Sequence, residues 1–208
     1  MELACGTGRL SLRIAEAGLN VVGIDVSEVF LSCAKRKAAG RNLNVRFELA
    51  DIRHFALPSV FKFVACPFRS VAVLLTDQDL QTCFACVRRH VDRGAMFIID
   101  AFNPAPDGTV PSPAKVSYQS PDGGGIVEVD HERRYDPVSG VATSVFTYSS
   151  PVSRERVSAQ LSLRLYTADE LSAALRANSF QLVHHLGGYD GGPYTEMAPF
   201  QILVAQAV

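Results

Sequence analysis

At 208 residues, with 20 Lys and Arg against 21 Asp and Glu and a net charge of −1, the chain is long enough to bury one domain core and has no electrostatic reach for nucleic acid or an anionic membrane. Its longest apolar runs, Val71 to Leu75 and Met96 to Ile99, fall far short of the roughly 20 residues that span a bilayer. The five cysteines, Cys5, Cys33, Cys66, Cys83 and Cys86, are odd in number and lack framework spacing, which fits reduced core residues of a cytoplasmic protein.

Apolar runs alternate with amphipathic stretches from residue 1 to about 104, which predicts a parallel sheet with helices on both faces. Strands are expected at 1–5, 21–25, 44–49, 61–66 and 95–102. Helices are expected at 8–18, 28–39 and 78–91, with Asp25, Ser27 and Asp77 as starting caps or near-caps and Gly40 as a stop. Residues 104–113, rich in Pro, Gly and Asp, break this rhythm. Alternation then marks 125–135, 141–148 and 155–166, with a turn at 136–140, as a three-stranded antiparallel meander. We read it as an insertion of about 105–166 within one domain of 1–208. Thr167 to Glu170 is a capping box that opens a helix to about 178, and strands follow at 180–186 and 200–207.

Glu2-Leu3-Ala4-Cys5-Gly6-Thr7-Gly8-Arg9-Leu10 runs from a strand through a glycine turn into a helix, whose free amide groups suit an anionic or polar ligand. One strand later Asp25 is placed to accept two hydrogens from a ribose diol. The third glycine of a dinucleotide fingerprint is missing, and by itself the turn is a weak signal. A second acid, Asp51, follows the third predicted strand; its carboxylate suits an exocyclic amine, or else it caps the segment toward His54. Together these motifs resemble class I S-adenosylmethionine (SAM) dependent methyltransferases of the small-molecule branch, and Phe61 to Ser70, Arg93 to Pro104, Leu163 to Leu171 and Gly188 to Gly191 extend the likeness over nearly the whole chain.

The resemblance implies a Rossmann-like α/β fold with an antiparallel last strand, SAM as cofactor, and methyl transfer to nitrogen or oxygen of a small molecule. It implies cofactor contacts at Ala4, Cys5, Gly6, Gly8, Asp25, Val26, Asp51, Ile52 and Cys66, with Asp51 and Ile52 at adenine. Substrate contacts are expected at Phe68 and Arg69, the latter as an anion clamp or as a salt bridge on the rim. Tyr118 and Arg164, with Tyr135, Tyr148 and Tyr166, are candidates for a lid, against the plainer reading of ordinary sheet side chains. Lys62 stands where relatives often carry an acid, and Ala72-Val73-Leu74 where many have a histidine, so His54 and His131 are the remaining candidate bases and no catalytic residue is assigned.

No metal is expected. Cys83 and Cys86 form an isolated CxxC inside a helical stripe, and the adjacent His184 and His185 face opposite ways on a strand. Relatives carry some tens of residues before the glycine turn, so the chain is expected to lack an N-terminal part. Two other readings stay open: a catalytically impaired SAM-binding or interaction protein, and an NAD(P)-dependent oxidoreductase, for which no hydride-site Tyr and Lys can be placed. A homodimer is expected through the 125–166 meander.

Overall fold

The computed structural model describes residues 1–104, 116–120, 123, 125–150 and 156–208. Apart from Pro104, the predicted break at 104–113 lies outside the described residues, as does the predicted start of a strand at residue 155. In chain order the first elements are β1 (Glu2–Leu3), α1 (Arg9–Glu16), β2 (Val21–Asp25), α2 (Glu28–Gly40), β3 (Val45–Leu49), β4 (Phe61–Cys66), a 3-10 turn at Ser70–Val73, α3 (Asp77–Arg89) and β5 (Val91–Phe102). Then come β6 (Val116–Gln119), β7 (Ile126–Asp136), β8 (Val141–Ser149), β9 (Arg156–Arg164), α4 (Ala168–Ala177), β10 (Phe180–Leu186) and β11 (Phe200–Ala207). They form two compact units, residues 1–103 with 166–208, and residues 104–165.

The first unit is built on a seven-stranded sheet in the order β10-β11-β5-β4-β1-β2-β3. Strands β1 to β5 are parallel, as the sequence pattern predicts, and β11 enters antiparallel between β5 and β10, as the resemblance implies. Strands covered on both faces need near-continuous apolar residues, and Val64, Ala65 and Cys66 of β4 are all buried. Leu12, Leu31, Ala34 and Ala38 of α1 and α2 pack with Cys5 and Phe47 in one cluster. Leu80, Phe84 and Val87 of α3 pack with Leu171 and Leu175 of α4, and with Leu3, Val64 and Phe97, in the other. Cys83 and Cys86 are buried in that second cluster.

Helix α2 ends at the expected stop, Gly40, and the left-handed residue beyond it is Asn42 at φ 52, a conformation that its short polar side chain tolerates. The cap of α3 is Thr76, which accepts the Asp79 N–H at 3.0 Å, while Asp77 takes the first helical position, where its charge meets the helix dipole. The first strand is two residues long, and the 3-10 turn at Ser70–Val73 had no sequence signal. Tyr166 is no lid residue: it is 1% exposed in the first unit's core, with its hydroxyl donating to the Leu74 carbonyl at 2.5 Å.

The second unit is an antiparallel sheet of four strands, β6-β7-β8-β9, not three. At four residues, Val116–Gln119 is too short for alternation to register. Pairing sets Val116 opposite Val129, Val129 opposite Tyr148 and Tyr148 opposite Val157, so one face carries an apolar row across all four strands. Among the described residues no helix is long and apolar enough to cross a membrane.

Candidate active site

The parallel strands deliver their carboxyl ends to one edge of the sheet, where open α/β folds bind ligands. Leaving β1, the chain turns through Gly6 and Gly8 at φ +54 and +77. Gly8 is required twice over, by its backbone conformation and because a Cβ there would sit 3.0 Å from the Phe47 ring and 3.1 Å from the Ala34 methyl. Gly6 faces open space, with nothing within 4 Å of a Cβ. Its N–H donates to Asp25 Oδ2 at 2.7 Å, and the Ser27 N–H donates to Asp25 Oδ1 at 2.9 Å. Both oxygens of this carboxylate are thereby oriented, and each keeps an accepting lone pair.

A cleft of about 210 Å³ opens beside it, lined by Ala4, Asp25, Val26, Asp51 and Ile52, five of the residues picked out from sequence. Arg53, Val73 and Leu74 complete it, and sequence reasoning did not select them. Against roughly 300–1,000 Å³ for a drug-sized site, it has room for part of such a ligand, as a nucleoside moiety would require. Arg53 is the largest surprise. Its Nη2 donates to Asp51 Oδ2 at 2.7 Å, its Nε to Oδ1 at 3.0 Å, and its Nη1 to Asp79 Oδ1 at 2.7 Å. The backbone N–H of Arg53 also donates to Asp51 Oδ1 at 2.8 Å, so Asp51 caps its own turn as well as facing the cleft. Hydrogen bonds from Arg53 hold the Asp51 and Asp79 carboxyls below the usual carboxylate range.

Cys5 and Cys66 are placed differently. Both thiols are buried, and burial pushes Cys5 up to about 12 and Cys66 well up, so these side chains stay protonated and only their main chain is available to a ligand. Glu2, also missed from sequence as a site residue, is buried beneath α1 and accepts the Ser11 N–H at 2.8 Å and the Ser11 hydroxyl. Burial raises its carboxyl, against the opposing pull of the Ser11 hydrogen bonds.

Beyond β4, Phe68 and Arg69 are both left-handed, at φ 58 and 62. The Arg69 N–H donates to Asp100 Oδ1 at 2.6 Å, and the Tyr189 hydroxyl donates to Asp100 Oδ2. The Arg69 guanidinium lies 5.1 Å from the ring centroids of both Phe102 and Phe200, and among the described residues it makes no salt bridge on the rim. Burial, with the bond to Asp100, raises the Tyr189 phenol to about 12. Tyr118 and Arg164 lie on β6 and β9 of the second unit. His54 is exposed on the turn after Asp51, its N–H donating to the Asp51 carbonyl at 2.9 Å. The His131 ring lies tilted against Phe146 within the second unit, ring centroids 4.1 Å apart.

Residues 1–94 match the family model described as a methyltransferase domain. The demethylmenaquinone methyltransferase of Thermus thermophilus is 33% identical over 124 residues, 57% of this chain and 54% of the relative. Against it and two further bacterial relatives, the chain spans 40% to 54% of their length. The dTDP-3-amino-3,4,6-trideoxy-alpha-D-glucopyranose N,N-dimethyltransferase of Streptomyces venezuelae is 25% identical over 198 residues, 92% of this chain and 78% of the relative. A SAM-dependent methyltransferase from Clostridium acetobutylicum ATCC 824 shares the fold with a TM-score of 0.85 at 19% identity, covering 99% of this chain and 82% of that one. The fold is therefore that of the class I SAM-dependent methyltransferases, and the resemblance first seen in the glycine turn holds in sequence over residues 1–94 and in fold over nearly the whole chain.

Proposed function

We propose that the chain binds SAM at the carboxyl ends of β1 to β3 and transfers its methyl group to a nitrogen or oxygen of a small molecule, with an amino sugar as the acceptor class the Streptomyces relative supports. The observation that carries this reading is Asp25, held by the Gly6 and Ser27 amides beside an open glycine turn, with two lone pairs left for a ribose diol. Asp51 and the Ile52 amide face the adenine, Val26 supplies apolar contact, and the main chain of Ala4, Cys5, Gly6 and Gly8, with that of Cys66, contacts the rest.

When bound, SAM would supply an electrophilic methyl: the acceptor's lone pair would attack the methyl carbon in line, and the C–S bond electrons would leave on sulfur as the neutral thioether of S-adenosylhomocysteine. The protein aligns the acceptor and excludes water, effects that contribute roughly 7–11 kcal/mol where the geometry is right. A general base is needed only for an acceptor that carries a proton at neutral pH. The same proposal places the protein in the cytoplasm, in keeping with five free cysteines, and as a homodimer through the apolar row of the meander, where Val116 and Val157 are 58% and 64% exposed. A strictly monomeric mass by light scattering at high concentration removes the dimer.

Calorimetric titration with SAM, S-adenosylhomocysteine and NAD tests the cofactor. We expect binding of the first two, lost at least 100-fold in Asp25→Ala. Selective binding of NAD overturns the reading in favour of an oxidoreductase, and SAM binding without turnover on any amine or hydroxyl acceptor favours an impaired binding protein.

A further inference from the structure

On the same sheet edge, after β1 and β4, two arginines make no ion pair among the described residues. Arg9, the first residue of α1, holds its guanidinium carbon 3.8 Å from the centroid of the Phe68 ring, and Arg69 follows Phe68 directly in the chain. Among the described residues neither makes an ion pair, whereas Arg13, Arg41, Arg46 and Arg53 each reach a carboxylate within 3.3 Å. Asp100 is 3% exposed, and each of its oxygens already accepts a hydrogen, one from the Arg69 amide and one from the Tyr189 hydroxyl, while Glu2, whose charge interacts with Arg9, is 1% exposed and accepts from Ser11. Both guanidinium charges act on the Tyr189 phenol, which puts the three groups in one neighbourhood.

The support beneath them is specific. Phe68 and Arg69 sit in a left-handed conformation that ordinary residues avoid, and the Arg69 bond to Asp100 ties that segment to β5. Aromatic faces hold a guanidinium by its plane and leave its edge, the fork of N–H donors, free for a planar or tetrahedral anion. Two such forks suit more than one anionic group. Tyr189, 66% exposed and itself 6.1 Å from the Phe200 ring, walls the same patch.

We infer that Arg9 and Arg69, set on Phe68, Phe102 and Phe200, form a subsite for a phosphate or diphosphate group carried by the methyl acceptor. This rests on the methyltransferase reading for its purpose, but the binding chemistry stands on the two unpaired forks. No group is transferred here; the subsite orients the acceptor, and each bidentate contact is charge-assisted.

The test is titration of the whole chain, saturated with S-adenosylhomocysteine, with pyrophosphate at low ionic strength. We expect saturable binding with one site, weakened at least tenfold in Arg69→Gln and in Arg9→Gln, partly recovered in Arg69→Lys, and changed less than twofold in Arg41→Gln. Unchanged S-adenosylhomocysteine affinity in every variant shows that the fold is intact. Absence of saturable pyrophosphate binding overturns the inference, as does an equal loss in Arg41→Gln or no loss in the first two variants. Acetate binding as tightly as pyrophosphate also overturns it, by assigning the forks to a carboxylate. Should S-adenosylhomocysteine itself fail to bind, the cofactor reading falls, and the same series on the free protein still decides the anion site.

Discussion

The two ends of the first unit's binding edge are built on opposite principles. At the Asp25 end every charged group already has a partner: Asp25 is held by two amides, and Asp51 by Arg53, which is itself held by Asp79. At the Arg69 end two cations lie on aromatic rings and make no ion pair among the described residues. A site whose polar groups are fixed in advance loses little on binding a ligand of constant shape, while unpaired forks gain most from a ligand that brings the missing charge. The first arrangement suits a cofactor common to many enzymes, and the second a substrate peculiar to one.

The largest effect that would break this contrast belongs to Gly8. With φ +77 and Phe47 and Ala34 in the way, Gly8→Val is expected to cost about 2–5 kcal/mol in urea unfolding, from overpacking and backbone strain together. A loss under about 1 kcal/mol would mean that the turn is not fixed by packing. Next comes Asp51: Asp51→Ala should weaken SAM about tenfold, or about 1.4 kcal/mol, while leaving pyrophosphate binding untouched. Arg53→Ala, which leaves the carboxylate in place but unanchored, should weaken SAM about threefold in the same calorimeter. Equal effects of both substitutions on the anion probe would merge the two ends into one site.

The Arg53 pairing also has a pH signature. Asp51 and Asp79 have depressed carboxyl values in the fold, so their contribution is present above the unfolded value of about 3.9 and is lost as pH falls through the folded values. Melting temperature should drop below about pH 4, and that drop should be shallower in Arg53→Ala; parallel curves would remove the coupling. Smallest of all is Arg41, whose 2.8 Å pair with Glu16 is solvent-exposed. Arg41→Ala should change stability by under about 0.5 kcal/mol.

Much of the frame was legible because its signals are local. The parallel strands, the helices between them, the Ser27 cap, the Thr167 capping box and the glycine turn each depend on residues within a few positions of one another, and the pattern repeats with the period of the element. The main departure is local too. Helix α2 ends at the expected stop Gly40 and Asp77 is a near-cap beside the cap Thr76, but the meander has four strands where the pattern shows three, because β6 is too short for its alternation to register. Asp25, Val26, Asp51, Ile52 and Ala4, expected from sequence as cofactor contacts, line one cleft because each closes or follows a strand whose carboxyl end reaches the same edge of the sheet.

Amino-acid sequence by itself determined the layered α/β frame, the glycine turn and the acids that follow the strands. Only the tertiary structure decided who pairs with whom. Arg53 finds Asp79 across 26 residues, the Arg69 amide finds Asp100 across 31, and Tyr189 reaches Asp100 across 89. Those contacts depend on β4 and β5 lying side by side and on the loop after β10 approaching their ends, and strand order is not encoded in any short window. The same order leaves Arg9 and Arg69 near one phenol with no ion pair among the described residues, and neither arginine's sequence neighbours foretell that.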